Sequence, residues 1–506
     1  MPVESIIAAV DIMKPSSEEI EARGERFGRA RKSTAPEILE VREKRSRPRP
    51  LGVDSYYCQA LIHRAHVVML TERGILSNEE GAKILEGLKQ VKKEAEKDDR
   101  LTSYMATEAA LIRGVGEVGG RMHIGRSRND LAQTQRRMYY RDRMEELIGS
   151  ITEYRKALLD KAEENLDAVM PGYTHWRQAQ PITLGHYLVA HADAAGRSVE
   201  RLEDVYKRTN LNTLGSAAVA GTGWPIDRNR TAELLGFDGV CENTHDCVAA
   251  HDHVVEFASA IAIHMANLSR LAEDLQIWSS DEFGMIDLDE AYAGTSSIMP
   301  QKKNPSSLEM VKGFAAEAVG ALMTTVSSVK GVSYTNLGDR MPLEPVTIDT
   351  TIGGTRVMAG VVSTLTPMRE RMMSHASRGF STMTELADTL VRNQGLSFRQ
   401  AHDVIASTTS RAISEGKTAD QITVEMIGES SLESIGRELE MSEEELRLAI
   451  DPLENVRRRK VTGGPAPSEV RRMIDDRRAK IEDEESKHRG RLERLERAYG
   501  GLCEAE

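Results

Sequence analysis

Several long stretches of this chain place apolar residues three or four positions apart, the spacing of one face of a long helix. Residues 137–170 carry the first such pattern, with apolar residues at Leu147, Ile148, Ile151, Tyr154, Leu158, Leu159, Ala162 and Leu166. Similar patterns occupy residues 181–207, 252–278, 305–329 and 357–365. A helix of about 25 residues is about 40 Å long. Helices of this length are expected to bundle, partly against other subunits.

Composition supports an all-α fold. Aromatic residues are only 4% of the 506 residues, whereas there are 22 methionines, and strand patterns are sparse. Such a core suits packed helices better than a β-sandwich. The polar, proline-dotted residues 16–50 are expected to be a loose N-terminal segment. Changes in segment length and charge along the chain predict three domains: residues 1–125, a central long-helix domain 126–370, and a C-terminal domain 371–506 with a charged tail.

Charge and targeting signals exclude several classes of protein. The formal net charge of −12 opposes a general affinity for nucleic acid or anionic membranes. No apolar run approaches the 18 residues of a membrane span, and the weak apolar run at residues 6–10 does not make a signal peptide. Four scattered cysteines indicate reduced thiols. We therefore expect a cytoplasmic protein.

One polar stretch combines serine with concentrated positive charge. Residues 294–305 read GTSSIMPQKKNP, a serine-rich loop followed by Lys302, Lys303 and a helix-opening proline. Cations and the amide donors of a helix start would bind a carboxylate or a negatively charged intermediate. From the residues alone, a solvated loop with a helix cap is an equally good interpretation.

Two further stretches have related chemistry. Residues 123–130, HIGRSRND, place Arg126 and Arg128 on either side of Ser127, an arrangement that suits bidentate carboxylate binding or a salt-bridged turn. Residues 170–181, MPGYTHWRQAQP, place His175 in a predicted loop between two helices, close to Gln180. A lone histidine is more often structural than catalytic, although its polar neighbours favour catalysis. The cluster of His245, His251 and His253 lacks the spacing of a metal site.

Together these stretches resemble the three signature regions of the aspartase/fumarase superfamily, and in particular its argininosuccinate lyase branch. The similarity extends to GTGWPIDRNRTAELLGF at residues 221–237 and RRRKVTGGPAPSEV at residues 457–470. It implies a homotetramer in which central five-helix domains form a twenty-helix core, with each active site shared by three subunits. It also implies reversible anti elimination of fumarate from an N-(1,2-dicarboxyethyl) amine, without metal or organic cofactor.

The resemblance assigns roles residue by residue. Ser296 matches the catalytic base, and His175 is the candidate acid for the departing amine. The remaining matched or neighbouring residues are candidate substrate ligands: Arg126, Ser127, Arg128, Asn129, Thr174, Gln180, Lys302, Asn304 and Tyr334.

Departures from the argininosuccinate lyase pattern lie mainly where the amine half is expected to bind. Ile124 replaces threonine, residues 102–104 (Thr-Ser-Tyr) replace an Asp-x-His pattern, and only Arg26-Phe27 remains of a Trp-Gly-Gly-Arg-Phe opening. The tract from Tyr334 to Pro345 keeps its tyrosine and Glu-Pro but not its glutamine and lysine. In the serine loop, the glycine lies one place earlier than usual, at Gly294.

The fumarate end is thus retained while the amine end is changed. We expect a carbon–nitrogen lyase for an aminopolycarboxylate such as ethylenediamine-N,N′-disuccinate (EDDS). The alternative is an argininosuccinate lyase, which forms arginine and fumarate. A non-catalytic, crystallin-like protein is disfavoured because the site residues are retained.

Overall fold

The computed structural model describes residues 32–504, and their architecture is all-α with four short two-stranded sheets. The α-helices are α1 Pro36–Ser46, α2 Leu51–Asp54, α3 Tyr56–Glu72, α4 Asn78–Ala95, α5 Tyr104–Val115, α6 Arg128–Glu164, α7 Leu184–Thr209, α8 Arg228–Leu234, α9 Thr244–Ala249, α10 Asp252–Trp278, α11 Ser306–Val329, α12 Pro345–Thr364, α13 Arg369–Arg378, α14 Met383–Gln394, α15 Phe398–Ser414, α16 Val424–Ile435, α17 Glu443–Ile450, α18 Pro452–Arg458 and α19 Pro467–Glu504. Short 3₁₀ turns occupy Asp99–Thr102, Glu117–His123, Glu290–Tyr292 and Ala419–Gln421.

The strands pair locally. They are β1 Val169–Thr174, β2 Arg177–Thr183, β3 Leu211–Asn212, β4 Gly239–Val240, β5 Ile286–Asp287, β6 Gly294–Thr295, β7 Lys303–Asn304 and β8 Thr366–Pro367. The pairs β1–β2, β5–β8 and β6–β7 are antiparallel, and β3–β4 is parallel. Two of these pairs, β1–β2 and β6–β7, carry predicted site residues.

Five long helices form the centre of the subunit, as the apolar spacing predicts. Helix α6 packs along α7 and α12, while α10 packs on α7, α11 and α12. Their apolar faces merge into one buried core that includes Leu158, Val199, Ile261, Val311 and Ile352. Separate smaller cores occupy residues 67–122 and 386–449. The boundaries near residues 125 and 370 stay predictions.

The start of α6 lies earlier than residue 137, where the apolar spacing places it. Ser127 is the N-cap, and its backbone amide donates to the side chain of Asp130, three residues later, in a capping box. This polar signal begins the helix at Arg128, before the first apolar positions of the predicted face. Residues 128–130 therefore form a helical turn rather than a loop.

Pro181 does not open α7 as predicted. It pairs with Pro171 in the β1–β2 hairpin, and α7 begins at Leu184, after the N-cap Thr183. The Thr183 hydroxyl accepts a 3.0 Å hydrogen bond from the backbone amide of His186. The helix expected to begin near residue 305 begins at Ser306, and that around residues 357–365 extends back to Pro345.

The N-terminal segment is not wholly irregular, since residues 36–46 form α1 and pack on α12. Predictions about residues 6–10, Arg26-Phe27 and the rest of residues 1–31 lie outside the described residues. Between residues 32 and 504, no helix has the length and apolar character needed to cross a membrane. All four cysteines are free.

The charged C-terminal helix α19 is integrated into the central core. Its buried side chains include Val470, Ile474 and Ile481, and it packs along α6 and α7. Arg491 lies against both helices, with its guanidinium 2.6 Å from carboxylate oxygens of Glu145 and Glu203. The high charge of this helix thus coexists with an apolar inner face, which explains how it packs on a core.

Close approach of the chain to α12 depends on a helical glycine. A methyl group at Gly360 would overlap the hydroxyl of Tyr292. We expect Gly360→Ala to lower the free energy of unfolding by about 1–3 kcal/mol through overpacking. Gly428→Ala is the control, because its methyl group would meet nothing within 4 Å. It should instead stabilise α16 by up to about 1 kcal/mol. Urea unfolding of both variants checks this contrast, and equal effects would contradict it.

Buried histidines should make the fold sensitive to mild acid. Burial is the main cause that lowers the pKa of His191, His251 and His264 from an ordinary 6.5 to about 4. The unfolded chain therefore binds protons that the folded chain excludes, so stability is complete above pH 6.5 and declines as the pH falls towards 4. Thermal melts from pH 8 to 5 should show a falling Tm below about pH 6.5. A flat profile would contradict this origin, and His264→Gln should make the decline shallower, because two of the three histidines remain.

Candidate active site

The first group of predicted site residues lies at the start of α6. The Ser127 hydroxyl accepts from the backbone amide of Asn129 at 3.3 Å, and the Asn129 side chain donates to the Ala218 carbonyl at 3.1 Å. Asp130 is fully buried, and its carboxylate joins this helix turn to the loop at residues 215–217. It accepts hydrogen bonds of 2.8 Å from the backbone amides of Ser127 and Gly215. The helix start is therefore a rigid platform.

The two arginines of this group differ sharply in exposure. Arg126 is only 6% exposed, and burial lowers its pKa to about 10. Arg128 is exposed and forms no ion pair with any residue that the structure describes. Because Arg126 nitrogens are buried, Arg128 is the more accessible arginine for a carboxylate in this subunit.

The second group lies on the β1–β2 hairpin. His175 and Trp176 form its two-residue turn, with positive φ angles of 51° and 59°. Such turns usually use asparagine or glycine, because other residues are strained there. Thr174, His175 and Gln180 are exposed and line a cavity of about 520 Å³ under the hairpin. The turn thus holds His175 at the mouth of a pocket.

The third group lies on the loop between β6 and β7. Ser296 is half-buried, and its hydroxyl accepts from the backbone amide of Met299 at 3.0 Å. Lys303 donates to the Leu288 carbonyl at 2.7 Å and pairs with Asp287. Lys302 instead is exposed and has no ion-pair partner between residues 32 and 504. Asn304 pairs with Gly294 across the base of the loop.

The amine-end tract is held by α9 and the residues that follow it. Tyr334 is 62% exposed, its hydroxyl donates to Asp246, and its carbonyl lies 2.6 Å from His245 Nε2. His251 Nε2 lies 2.9 Å from the Met341 carbonyl. These histidines therefore position backbone, and no metal-binding group of three side chains occurs within the described part of the chain.

Tyr104 lies beside the first group. It stands where the argininosuccinate lyase pattern has the histidine of Asp-x-His. Its ring centroid is 5.0 Å from that of His123, and its hydroxyl donates to Glu108 at 2.6 Å. Burial and this hydrogen bond raise the pKa of Tyr104. The hydroxyl therefore stays neutral at physiological pH.

Within the described subunit, no hydrogen bond or ion pair joins the three groups, although each exposes polar side chains. The exposed cations Arg128 and Lys302 can hold carboxylates, Ser296 offers a hydroxyl, and His175 can transfer a proton. Sequence reasoning missed Asp130, whose signal is the capping-box spacing from Ser127.

Comparisons with known proteins identify the family of the chain. Residues 43–320 match the Lyase family, and residues 380–457 match the argininosuccinate lyase C-terminal family. Argininosuccinate lyase of Methanosarcina barkeri is 43% identical over 426 residues, covering 83% of this chain and 86% of that protein. That of Methanothrix thermoacetophila is 39% identical over 503 residues, covering 95% and 98%.

Solved structures share the same fold. EDDS lyase in complex with formate has 43% identity and a TM-score of 0.92, covering 95% of this chain and 97% of that chain. Class II fumarase from Schistosoma mansoni has 18% identity and a TM-score of 0.63, covering 85% and 95%, and supports the fold alone. The chain therefore belongs to the argininosuccinate lyase branch of the aspartase/fumarase superfamily and is a fumarate-releasing carbon–nitrogen lyase.

Proposed function

We propose that this lyase eliminates fumarate from an aminopolycarboxylate, with EDDS as the best representative, rather than from argininosuccinate. The observation that carries this proposal is the contrast between the two ends of the site. At the fumarate end, Ser296, Arg128 and Lys302 are all retained. The two cations, Arg128 and Lys302, are exposed and form no ion pair with a described residue. At the amine end, Tyr334 remains but its hydroxyl is engaged by Asp246. The similarity to EDDS lyase supports the same choice.

The chemistry follows from these residue types. Ser296 takes the proton from the Cβ of the succinyl group, and the electrons move onto the adjacent carboxylate as an aci-carboxylate. Lys302, Asn304 and the first-group residues Ser127, Arg128 and Asn129 stabilise that charge. The carbon–nitrogen bond then breaks, fumarate forms, and the amine nitrogen receives a proton from His175, directly or through water.

A serine hydroxyl is a weak base, so the loop around Ser296 must stabilise its deprotonated form. The Ser296 loop also carries Lys302, whose positive charge would stabilise a serine alkoxide in a site from which water is excluded. Thr174 and Gln180 lie beside His175 and would orient the succinyl carboxylates or the amine. Arg126 is buried, and its three guanidinium nitrogens have no hydrogen-bond partner among the described residues, so it stays a candidate ligand for a substrate carboxylate.

We infer that assembly of the site needs further subunits, because no hydrogen bond or ion pair joins the three groups within the described residues of one subunit. Helix α11 exposes Val319, Met323 and Val326, which are 46%, 58% and 38% exposed and lie on one face. Ile263 of α10 is also 40% exposed. Apolar stripes on central helices are normally covered in a bundle. We therefore infer a homotetramer in which three subunits contribute to each site.

Subunit mixing tests this inference. Homotetramers of Ser296→Ala and of His175→Asn should each be nearly inactive. When the two are unfolded and refolded together, some sites should receive an intact Ser296 loop and an intact hairpin from different subunits. Recovered activity of up to about a quarter of the wild-type level is expected for random mixing. If mixed samples stay as inactive as the parents, both residues come from one subunit and the inference is wrong.

Argininosuccinate lyase activity is the second candidate, favoured by identities of 43% and 39% to enzymes of that name. The first experiment is the ultraviolet absorbance of fumarate after purified protein is mixed with EDDS or argininosuccinate. Fumarate from EDDS supports the proposal. No fumarate from either substrate would leave only the disfavoured crystallin-like role or another amine.

A further inference from the structure

Two cysteines that the elimination chemistry does not use lie close together around the start of α9. Cys241 directly follows β4, and Cys247 lies within α9. The Sγ atom of Cys247 is 3.1 Å from the carbonyl oxygen of Cys241. An interaction between the two thiols raises the pKa of Cys241 and lowers that of Cys247. The two side chains are therefore neighbours, although each thiol is free.

The surroundings of Cys247 favour its ionised form. The guanidinium of Arg228 donates to Cys247 Sγ at 3.2 Å and to the Cys241 carbonyl at 2.8 Å, so it clamps the two residues together. Its other hydrogen bonds to described residues go to neutral backbone carbonyls. The contact with the Cys241 thiol is the main cause that lowers the pKa of Cys247 to about 6, and the charge of Arg228 lowers it further. The thiolate is the form of cysteine that attacks an oxidant.

A third buried cysteine provides the contrast. Cys58 is fully buried, and burial is the main cause that raises the pKa of its thiol well above the ordinary range. Cys241 and Cys247 are 8% and 1% exposed, but the residues 242 and 243 between them in the chain are exposed. The thiol pair thus lies just beneath the surface. A small uncharged oxidant such as a peroxide suits this position better than a bulky reagent does.

The helix that carries Cys247 also holds the amine-end tract. His245 Nε2 lies 2.6 Å from the Tyr334 carbonyl, and Asp246 Oδ1 accepts the Tyr334 hydroxyl. The other carboxylate oxygen of Asp246 accepts the Cys241 thiol at 3.4 Å. The Cys241 side chain is thus a neighbour of both Asp246 and Cys247. Turning it to bond the Cys247 sulfur removes its hydrogen bond to Asp246 and pulls on α9.

We propose that Cys241 and Cys247 are a peroxide-sensitive thiol pair, whose disulfide displaces Asp246 and weakens binding of the amine half of the substrate. The thiol pair itself stands on the contacts of Arg228 and the two cysteines. Its effect on the enzyme rests on the proposed function, which places the amine end at the tract that Asp246 holds. The fumarate end, which lies on other segments of the chain, keeps its ligands.

The oxidation balances with hydrogen peroxide as the oxidant. The Cys247 thiolate attacks one peroxide oxygen, the O–O bond breaks, and a sulfenic acid forms while the departing hydroxide takes up a proton to become water. The Cys241 thiol then attacks the sulfenic sulfur, and the S–O bond breaks. The hydroxyl leaves with the proton of the Cys241 thiol as a second water. Two thiols are oxidised to one disulfide while one peroxide is reduced to two waters.

Peptide mapping of the full-length enzyme tests the thiol pair. Both cysteines lie on one tryptic peptide, residues 231–270. After peroxide treatment, unfolding and alkylation without reduction, this peptide should carry no alkyl group, whereas prior reduction should give a doubly alkylated peptide. Cys241→Ser and Cys247→Ser should each prevent the disulfide. Cys503→Ser is the control, because it removes only an exposed thiol. Full alkylation of the peptide, or its oxidation to a sulfinic acid without a disulfide, would overturn the pair.

Addition kinetics test the effect on the amine end. Loss of fumarate absorbance is followed with ethylenediamine, or with arginine if argininosuccinate is the faster substrate. The disulfide should raise the KM for the amine at least about fivefold, as expected for the loss of about one hydrogen bond. The KM for fumarate should stay within about twofold, and dithiothreitol should restore the amine KM. An unchanged amine KM, or an equal rise for fumarate, would overturn the effect.

The serine variants separate this disulfide from other oxidative damage. Peroxide should leave the amine KM of Cys241→Ser and of Cys247→Ser unchanged, while Cys503→Ser should respond as the unsubstituted enzyme does. A peroxide response that persists in both Cys241→Ser and Cys247→Ser would assign the effect to another residue and overturn the proposal. If the disulfide forms but neither amine adds to fumarate, the proposed function and the effect on the amine end both fail, while the thiol pair stands.

Discussion

Replacing Ser296 with alanine should lower kcat for fumarate release by about 10²–10⁴-fold, the usual contribution of a positioned base. Ser296 lies half-buried on the β6–β7 loop, and its hydroxyl receives only amide hydrogen bonds from Met299 and Ile298. The substitution removes those two local bonds but no buried packing. The subunit fold and the oligomer should therefore survive, so that the loss is chemical.

Ser297→Ala is the matched control for this prediction. Ser297 is adjacent on the same loop and is exposed, so its removal should change kcat less than about threefold. Initial rates from fumarate absorbance, with Tm and size-exclusion profiles, distinguish a lost base from a damaged loop. Normal turnover in Ser296→Ala, or an equal loss in Ser297→Ala, would contradict the assignment of Ser296.

Replacing Asp130 with alanine should have the largest effect on stability, lowering the free energy of unfolding by at least about 3 kcal/mol. Its buried carboxylate accepts backbone amides of Ser127 and Leu131 at 2.8 and 3.0 Å, and of Gly215 and Ala217 at 2.8 and 2.9 Å. Alanine would leave all four donors without this acceptor. Because the same amides fix the start of α6, the activity should also fall.

Asp167→Ala gives the comparison for a surface carboxylate. Asp167 is 67% exposed and pairs with Arg369 at 2.6 Å, an interaction worth at most about 1 kcal/mol at such a surface. Urea unfolding monitored by circular dichroism should separate the two variants clearly. If Asp130→Ala unfolds at the same urea concentration as Asp167→Ala, the bridge between α6 and the 215–217 loop is not important for stability.

The central helices could be predicted because their burial follows directly from apolar spacing. The pattern for residues 252–278 coincides with α10, Asp252–Trp278. The start of α6 was missed because its first turn is fixed by the polar pair Ser127 and Asp130 rather than by apolar residues. An S-x-x-D spacing is a usable signal, although it is common outside helices.

The hairpin was harder to predict. Its turn residues, His175 and Trp176, are not those that favour positive φ angles, and the pairing of Pro171 with Pro181 is unusual for strands. Local sequence therefore indicated a loop and an early helix. Tertiary packing against α13 and α18 imposes the hairpin instead.

The candidate site itself depends on distant parts of the chain. Sequence patterns could identify Ser296, His175 and Arg128 as reactive types, but no local spacing relates residues about 50 and 120 positions apart. The structure adds the exposure and pairing of each cation. Arg128 is exposed whereas Arg126 is buried, and Lys303 forms an ion pair whereas Lys302 forms none with the residues that the structure describes.

The most direct measurement of the central claim is kcat/KM for EDDS and for argininosuccinate, determined side by side from fumarate absorbance with the same enzyme preparation. A changed amine end predicts a value for EDDS at least about 100-fold above that for argininosuccinate, since unmatched polar groups in a binding site are strongly discriminated. Rapid fumarate release from argininosuccinate, with none from EDDS, would contradict the account and assign the enzyme to arginine formation.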